Sequence, residues 1–417
     1  MVRISPFYNY QVKPEMASAV AALPYDIYTL QEAAQEIIRQ PLSFLRIDRT
    51  AAILPEVDEY ADLVYDQAKK LLQEDIQSGL YQADQDCRFF LYRMQWPKTA
   101  GETVPNDSFP EDLNQHSQLG LVAAVASADY QDGTVRLHEQ THPVKLADRI
   151  AHIKALNAQT GPVLMTHRPN PEVQALHSYL LQNNSALYDF YAPDGIRHTI
   201  WAIDKQMNHQ IQETYQILDA LYIADGHHRA EAATKIDDQG ILAILFPADT
   251  LHIQAYNRII KDTHEMSPDQ LLAQLARSFN VRKVQSAAQA EPRQRGQFGL
   301  YLAGDWYQLV FDEQLRPADT LAGLDVSILQ NQVLQPLLGI DDPRSSDRIA
   351  NVGGSLGLSG LLEQLQHFTP ANNGLAFALY PVQFDDFFKV ADSRRLMPPK
   401  STWFAPKPRS GMLIRPL

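Results

Sequence analysis

The chain has 417 residues, with 36 Lys or Arg against 49 Asp or Glu, so its formal net charge is −13 at pH 7. This length corresponds to two or three domains at roughly 100–200 residues each, and an apolar content of 45% excludes disorder as the main state. The acidic balance argues against a protein that coats nucleic acid or anionic membranes through its overall charge. Because Cys87 is the single cysteine, an intramolecular disulfide and a Cys-based zinc site are excluded.

The sequence carries no signal for secretion or membrane insertion. Its N-terminus lacks the apolar stretch of a secretory signal. The longest small-apolar run, 119–128, is shorter than the roughly 20 residues that span a bilayer. We therefore expect a cytoplasmic protein without a membrane partner, and a nucleic-acid partner is not expected.

The first part of the chain alternates helical and extended patterns. Apolar residues at three- and four-residue spacing predict a helix over 56–78 that ends at Gly79. The aromatic run 87–96 predicts a strand, and the polar stretch 97–118 predicts a long loop. Later elements follow from the same rules: a hairpin of strands 119–128 and 134–139 around Asp132-Gly133, a helix over 145–158 and a buried strand over 162–166.

The second part continues this mixture. Further strands are predicted at 198–203, 220–224, 241–246 and 252–260, with helices between them. The Gln-rich stretch 285–297 predicts an exposed connection, and Gly304-Asp305 predicts a hairpin turn between strands 298–303 and 306–311.

Together these patterns predict an α+β chain with mixed sheets, hairpins and packed helices rather than a doubly wound sheet. We place an N-terminal α+β region at 1–118, a core at 119–284 and a C-terminal α+β region at 298–417. The basic tail of the last region is expected to pack back on the core.

The sharpest local pattern is an apolar strand that runs into Asp225-Gly226 and then into an alanine-rich helix beginning with His227, His228 and Arg229. Glycine allows close backbone approach, and a helix N-terminus favours an anion. Arginine and histidine add charge-assisted donors suited to phosphate, and histidine also suits proton transfer near neutral pH. The junction is therefore predicted to bind phosphate.

Two other interpretations of this junction stay open. Asp225 could cap the helix while the histidines pack or face solvent. Alternatively, His227 and His228 could bind a metal, although neighbours at i and i+1 diverge on a helix, unlike the i, i+4 pair of a zincin.

His138 and Glu139 form a second candidate site at the end of a predicted strand. A carboxylate held near a phosphate donor can accept the proton of a substrate hydroxyl. The alternative is a solvated edge with a salt bridge from Glu139 to Lys145 or Arg149.

The third candidate is the C-terminal segment, because residues 393–417 contain basic side chains and no acidic ones. Lys400, Ser401, Thr402 and Lys407 could hold a phosphate while neighbouring aromatics pack on the core. The glycine frame of a P-loop is absent. A basic disordered tail is the alternative, against which the aromatics and the final apolar run argue.

Asp26 is a fourth candidate, near the N-terminus. It follows Pro24 and is expected to cap the helix that begins near Leu30, with a supporting role at the site as the alternative.

In this order, these segments resemble the bacterial and archaeal family catalogued as domain of unknown function 1015. The matching pieces are Pro6-Phe7, Pro24-Tyr25-Asp26, His138-Glu139-Gln140-Thr141 with Asp148-Arg149, 223–229 and Met397-Pro398-Pro399-Lys400-Ser401-Thr402. The Asp-Gly-His-His-Arg motif is also similar to that of the ParB/sulfiredoxin superfamily, whose members hold nucleotide phosphates at this strand–helix junction. A ParB/sulfiredoxin-like nucleotide-binding core is therefore expected.

One branch of that superfamily phosphorylates free L-serine, and the resemblance implies a nucleotide-dependent small-molecule kinase that makes O-phosphoserine. It implies ATP or ADP with Mg²⁺ as cofactors, phosphate binding by residues 225–229, and Glu139 as the counterpart of the acidic base, with Asp225 as a possible Mg²⁺ ligand. Lys400 and Lys407 would neutralise charge during transfer. Sulfiredoxin chemistry is disfavoured because histidine occupies the position of its reactive cysteine.

Two other functions remain as alternatives. One is a non-catalytic nucleotide-binding regulatory protein. The other is a metal-dependent phosphodiesterase or nuclease.

Overall fold

A computed structural model of the chain describes residues 1–97, 115–238, 240–369 and 374–417. These residues form two compact units. Unit 1 comprises 1–136, 141–251 and 406–417, and unit 2 comprises 137–140 and 252–405. Among the described residues, no helix combines the length and apolar character needed to cross a membrane.

The strands are numbered here in chain order. They are β1 (Ile4–Ser5), β2 (Tyr10–Val12), β3 (Tyr81–Ala83), β4 (Phe90–Pro97), β5 (Gln115–Val125), β6 (Val135–Arg136), β7 (Ala158–Gln159), β8 (Val163–His167), β9 (Ala186–Tyr191), β10 (Arg197–Ala202), β11 (Leu221–Asp225), β12 (Ile241–Pro247), β13 (Ile253–Gln254), β14 (Tyr256–Ile260), β15 (Phe279–Val284), β16 (Gln297–Leu302), β17 (Asp305–Phe311), β18 (Ile349–Gly353), β19 (Leu375–Leu379), β20 (Trp403–Phe404) and β21 (Leu413–Pro416).

The α-helices are numbered in the same way, and short 3₁₀ turns such as Tyr25–Ile27 lie between them. They are α1 (Ala17–Val20), α2 (Leu30–Arg39), α3 (Leu45–Asp48), α4 (Asp62–Gln77), α5 (Ser127–Asp132), α6 (Pro143–Leu156), α7 (Pro171–Asn183), α8 (Asn208–Gln216), α9 (His227–Thr234), α10 (Pro268–Leu275), α11 (Ala287–Ala290), α12 (Asp325–Leu329), α13 (Gly357–Phe368) and α14 (Phe384–Asp392).

Unit 1 is built on a mixed sheet. Its described part has nine strands in the order β6-β11-β8-β12-β5-β4-β10-β9, with β1 paired to β5. Strands β8 and β12 are parallel and β11 is antiparallel to β8. Every residue of β8 is buried, as expected for a strand covered on both faces. Strand β11 is therefore second from the β6 edge of the sheet, and the Asp225-Gly226 junction lies at the end of this strand.

The C-terminal residues complete a smaller sheet of unit 1. The order of its described strands is β3-β2-β21-β7, and Arg415 of β21 is buried in an ion pair with Asp237. This packing contradicts a disordered basic tail.

Unit 2 is built on an antiparallel sheet, whose described strands have the order β15-β17-β16-β19-β14-β18. Helix α13 packs on it through Leu361 and Leu365, which lie in one buried cluster with Ile259. A two-stranded sheet of β13 and β20 lies in the same unit. The predicted α+β class with mixed sheets, hairpins and packed helices is confirmed.

One predicted hairpin is wrong. Strand β5 pairs with β4 and β12, whereas β6 pairs in parallel with β11. The intervening Ser127–Asp132 is helix α5, and Gly133 ends it with φ +83°. The Asp-Gly step therefore marks a left-handed helix end, which glycine favours as much as it favours a hairpin turn.

Other predicted elements are shifted rather than lost. Helix α4 begins at Asp62 instead of 56, and the second predicted hairpin is present as β16 and β17 with Ala303-Gly304 at its turn. The loop predicted at 97–118 falls mostly on 98–114, outside the described residues, while 115–118 belong to β5.

The two units also divide the chain differently from the three regions predicted. Strands β4 and β5 hydrogen-bond across the expected boundary at residue 118, so both belong to one sheet. Residues 397–405 belong to unit 2 and the last twelve, 406–417, to unit 1.

Candidate functional site

The junction of β11 and α9 depends on glycine at position 226. Gly226 has φ +93°, a conformation that L side chains rarely adopt, and it is the N-cap of α9. A Cβ atom there would lie 2.9 Å from Arg229 Cζ and Nη2. The guanidinium of Arg229 therefore lies directly over the Gly226 backbone, and both the turn and this contact require a missing side chain.

Asp225 is held by two cations. It accepts a hydrogen bond from Arg229 Nη2 at 2.7 Å and forms a close ion pair with Lys407 Nζ. Lys407 is buried, at 7% exposure. Because Gly226 is the N-cap, the alternative in which Asp225 caps the helix is wrong.

Arg229 keeps one donor that no described residue satisfies. Its Nη1 donates to the carbonyl of Pro162 and its Nη2 to Asp225. Its Nε is buried and has no acceptor among the residues that the structure describes. A buried N–H without an acceptor costs free energy, and this one lies at a helix start, where the first N–H groups lack intrahelical partners. The arrangement suits an oxyanion.

The two histidines of the junction differ in their surroundings. His227 is buried at 6% exposure. His228 is partly buried, and its Nε2 accepts a hydrogen bond of 2.8 Å from the backbone N–H of His142, the N-cap of α6. A neutral His228 therefore carries its proton on Nδ1. Since Nε2 is engaged, a metal held by that nitrogen is disfavoured.

Arg149 lies in a buried polar cluster of unit 1. It pairs with Asp148 at 2.8 Å, and its guanidinium lies 3.8 Å from the ring centroid of Tyr25. Burial raises the pKa of Tyr25, while the charges of Arg149 and Arg229 oppose that rise. Tyr25 therefore lies within electrostatic reach of the junction's arginine.

Asp26 does not cap α2, contrary to expectation. Asp26 is exposed in the 3₁₀ turn Tyr25–Ile27. Thr29 caps α2 in a capping box with Glu32, because Thr29 is the residue immediately before the helix and Glu32 falls at its third position.

In unit 2, His138 ties residues 137–140 to the C-terminal Pro-Pro-Lys segment. Its Nε2 lies 3.0 Å from Thr402 Oγ1 and its carbonyl accepts from Met397 N–H at 2.8 Å. Its ring packs edge-on against Phe387, with centroids 5.0 Å apart. His138 is buried at 1% exposure, and these contacts hold residues 137–140 against that segment.

Arg258 is a residue of this region that sequence reasoning missed. It is buried at 2% exposure and donates to the carbonyls of Lys400 at 2.9 Å and Pro399 at 3.2 Å. Burial lowers its pKa to about 10, an effect that the charges of Tyr256 and Glu139 oppose. The signal was a single arginine within the predicted strand 252–260.

Lys400 and Ser401 lie on the segment that Arg258 holds. Lys400 has φ +56°, and its Nζ is 5.6 Å from the ring centroid of Tyr256. Ser401 Oγ donates to the carbonyl of Pro398. The left-handed Lys400 is stabilised by the two carbonyl contacts of Arg258 around it.

The predicted site residues thus divide between the two units. Unit 1 contains Asp26, Arg149, Asp225, Gly226, His227, His228, Arg229 and Lys407, and unit 2 contains His138, Glu139, Lys400, Ser401 and Thr402.

The buried basic side chains of the C-terminal residues all have acidic partners. The pairs are Lys407 with Asp225, Arg409 with Asp194 and Arg415 with Asp237. The concentration of positive charge in the sequence is therefore not a bare positive surface in the fold.

The family model described as "Protein of unknown function (DUF1015)" matches residues 4–327. This covers well over half of the chain, which therefore belongs to that family. The Pro-Pro-Lys segment at 397–402 lies outside the match. No curated protein matches the sequence.

Among solved structures, the chain is similar to a C-terminally truncated SbnI from Staphylococcus aureus, with 11% identity, a TM-score of 0.39, and coverage of 70% of this chain and 85% of that one. It is also similar to a free serine kinase in complex with AMP, with 12% identity, a TM-score of 0.37, and coverage of 66% and 87%. A conserved hypothetical protein from Pyrococcus furiosus matches with 13% identity, a TM-score of 0.36, and coverage of 66% and 90%. At these TM-scores the similarity carries no argument about ligand or activity.

Proposed function

We propose that this protein is a nucleotide-dependent phosphotransferase that acts on a small hydroxyl compound, with free L-serine as the leading acceptor. The observation that carries the proposal is the buried Nε–H of Arg229, which has no acceptor among the described residues and lies at the start of α9. A phosphate oxygen would satisfy that donor. The N-terminal N–H groups of α9 would bind the same group.

The nucleotide would bind through its phosphates beside the Arg229 guanidinium, which the missing side chain of Gly226 lets lie against the backbone at the start of α9. Arg229 and Lys407 supply the positive charge, and Asp225 orients both cations. ATP and ADP both carry a terminal phosphoryl group suited to transfer.

In the transfer step, the acceptor hydroxyl oxygen attacks the terminal phosphorus, and the bond from that phosphorus to the bridging oxygen breaks. ATP then leaves as ADP, or ADP as AMP. The hydroxyl proton passes to the carboxylate of Glu139, the acidic base in this proposal. Arg258 is a buried cation on which the charge of Glu139 acts.

A divalent cation on Asp225 fits this site poorly. Asp225 is already paired with Arg229 and Lys407, and these two positive charges oppose a third cation at the same carboxylate. Mg²⁺ bound mainly by nucleotide phosphates would neutralise charge on the transferred group, and no residue is assigned to hold it.

The same observation on Asp225 favours a second candidate, a nucleotide-binding regulatory protein without catalysis. A junction whose aspartate is engaged by two cations is suited to hold phosphate, and phosphate binding alone needs no general base. The two candidates differ in turnover, not in binding at the junction.

The test incubates the pure full-length protein with ATP or ADP, Mg²⁺ and L-serine, and measures O-phosphoserine by mass spectrometry. The proposal predicts product, loss of product in Glu139→Gln, and retained nucleotide binding in that variant by calorimetry. Glu363→Gln, on the exposed face of α13, is the matched control and should keep full activity.

Binding without product from serine or from other hydroxyl amino acids would favour the regulatory candidate. Absence of nucleotide binding in the wild-type protein, or unchanged binding in Arg229→Gln, would overturn both.

A further inference from the structure

Unit 1 contains a cavity that none of the sequence motifs addresses. Its volume is about 240 Å³, and its polar lining includes Tyr28, Glu36, Arg39, Ser43, Asp194 and Arg409. Its apolar walls include Leu45 and Pro193. The volume is below the roughly 300–1,000 Å³ of sites for drug-sized ligands, so the cavity suits a smaller molecule.

Arg409 provides a fixed cation in the cavity wall. It is buried at 5% exposure. Its Nε donates to His198 Nε2 at 3.3 Å and its Nη2 to Asp194, whereas its Nη1 has no acceptor among the described residues. Burial and the charge of Arg409 hold the pKa of His198 well below its usual value, so His198 accepts as a neutral ring. One amino group of a rigidly held guanidinium is therefore available to a carboxylate.

Negative charge lies in the same cavity. The side chain of Asp194 is 39% exposed, although its partner Arg409 is almost completely buried. Glu36 pairs with Arg39 at 2.5 Å, and the Arg39 side chain is 64% exposed. The Glu36 side chain is only 15% exposed. Because Arg39 is solvated, loss of its contact with Glu36 costs little, and Glu36 can exchange Arg39 for a ligand cation.

Tyr28 lines the same cavity as these four charged side chains. Burial raises the pKa of Tyr28, and the charges that act on its hydroxyl are those of Glu36, Arg409, Arg39 and Asp194. Two cations and two anions thus surround a space next to a neutral donor. A simple anion would face two carboxylates there, and a simple cation would face two guanidinium groups.

We infer that this cavity binds a small zwitterion, a free α-amino acid with an uncharged side chain. Its carboxylate would bind Arg409 and its ammonium group Glu36, with the Tyr28 hydroxyl as a further polar contact. The side chain would lie against Leu45 and Pro193. The inference is drawn from the cavity alone and does not depend on phosphotransfer.

The test is calorimetric titration of the full-length protein, without nucleotide, with L-alanine, L-serine and L-valine. The matched analogues are propionate, which lacks the ammonium group, and L-alaninamide, which lacks the carboxylate. We expect saturable binding of at least one amino acid. Both analogues should bind at least about tenfold more weakly, since each loses charge-assisted hydrogen bonds.

Variants separate the two ends of the ligand. Arg409→Lys should weaken binding of the amino acid about tenfold or more. Glu36→Gln should weaken binding of the amino acid but not binding of propionate. Arg395→Gln, which removes an exposed ion pair with Asp319, is the control and should change neither.

If Arg409→Lys does not fold, as judged by circular dichroism, Glu36→Gln still decides the question, because it is isosteric and the partner Arg39 is 64% exposed. Absence of binding by every amino acid at roughly 10 mM, well above a millimolar Kd, would overturn the inference. Equal affinity for L-alanine, propionate and L-alaninamide would do the same.

Discussion

Replacement of Gly226 by alanine tests the central claim about the β11–α9 junction. The new alanine must adopt φ +93°, and its Cβ would lie 2.9 Å from the guanidinium carbon of Arg229. The backbone strain and the displacement of Arg229 are separate costs. Gly195 provides the matched control, because it has φ +81° and nothing within 4 Å of an added Cβ.

The magnitude follows from these two costs. A left-handed alanine costs about 1–2 kcal/mol, and this is the whole expected loss for Gly195→Ala. In Gly226→Ala the guanidinium must also leave Asp225, and a hydrogen bond to a charged group contributes about 1.5–3 kcal/mol. The expected decrease in the free energy of unfolding is therefore about 2.5–5 kcal/mol for Gly226→Ala.

Both glycines lie in unit 1, so the same urea-induced transition reports both variants. Nucleotide affinity, measured by calorimetry with ADP, should fall at least about tenfold in Gly226→Ala and stay unchanged in Gly195→Ala. Equal destabilisation of the two variants, together with unchanged ADP affinity in Gly226→Ala, would refute the proposed role of the Gly226–Arg229 contact.

Three further predictions concern buried titratable side chains. Asp225→Asn should lower the free energy of unfolding by about 3–5 kcal/mol, since it leaves two cations without their shared carboxylate. Adding Lys407→Met should restore part of that loss in urea titrations. If stability is not restored, the pairing of Lys407 with Asp225 is contradicted. Burial lowers the pKa of His177 to about 3, below the unfolded value of about 6.5, so protonation of the unfolded state makes stability fall as pH decreases from about 6.5 towards 3. His177→Phe should therefore reduce the dependence of unfolding free energy on pH in that window by up to about 1.4 kcal/mol per pH unit, whereas His209→Gln, at an exposed position, should not. Arg258→Lys should destabilise unit 2 in urea titrations by about 1–3 kcal/mol, because an ammonium cannot reproduce the contacts of the guanidinium with several carbonyls; unchanged stability would show that these contacts contribute little.

The fold was predictable where local sequence and tertiary pairing agree. The apolar run at 241–246 forms a fully buried strand, and the pattern at 145–158 forms α6. Strand pairing was not predictable, because β6 joins β11 across many intervening residues and no local signal specifies a partner. At Gly133 the same Asp-Gly step fits a hairpin turn and a helix end, and the pairing of β5 with distant strands decided between them.

The candidate site was predictable in its residues but not in their charge balance. The motif at 225–229 and the basic C-terminal residues both stand out in the sequence. That Lys407 would pair with Asp225, some 180 positions away, follows only from the return of residues 406–417 to unit 1. The cavity lined by Arg409 and Asp194 was not predicted for the same reason. The pairing of these two residues is long-range, and neither lies in a recognisable motif.

Lys407 and Arg409 place the two proposed ligand sites of unit 1 on one short stretch of chain, yet the sites should respond separately to mutation. Each side chain pairs with its own carboxylate, Asp225 or Asp194. The backbone between them is held where Arg409 N–H donates to the Tyr92 hydroxyl at 3.0 Å. A perturbation at Arg409 could reach the junction only by moving this anchored backbone, which the bond to Tyr92 opposes. Arg409→Lys should therefore leave ADP affinity within about twofold, as expected for sites without a shared partner, and a larger change would mean that the two sites share a mobile backbone.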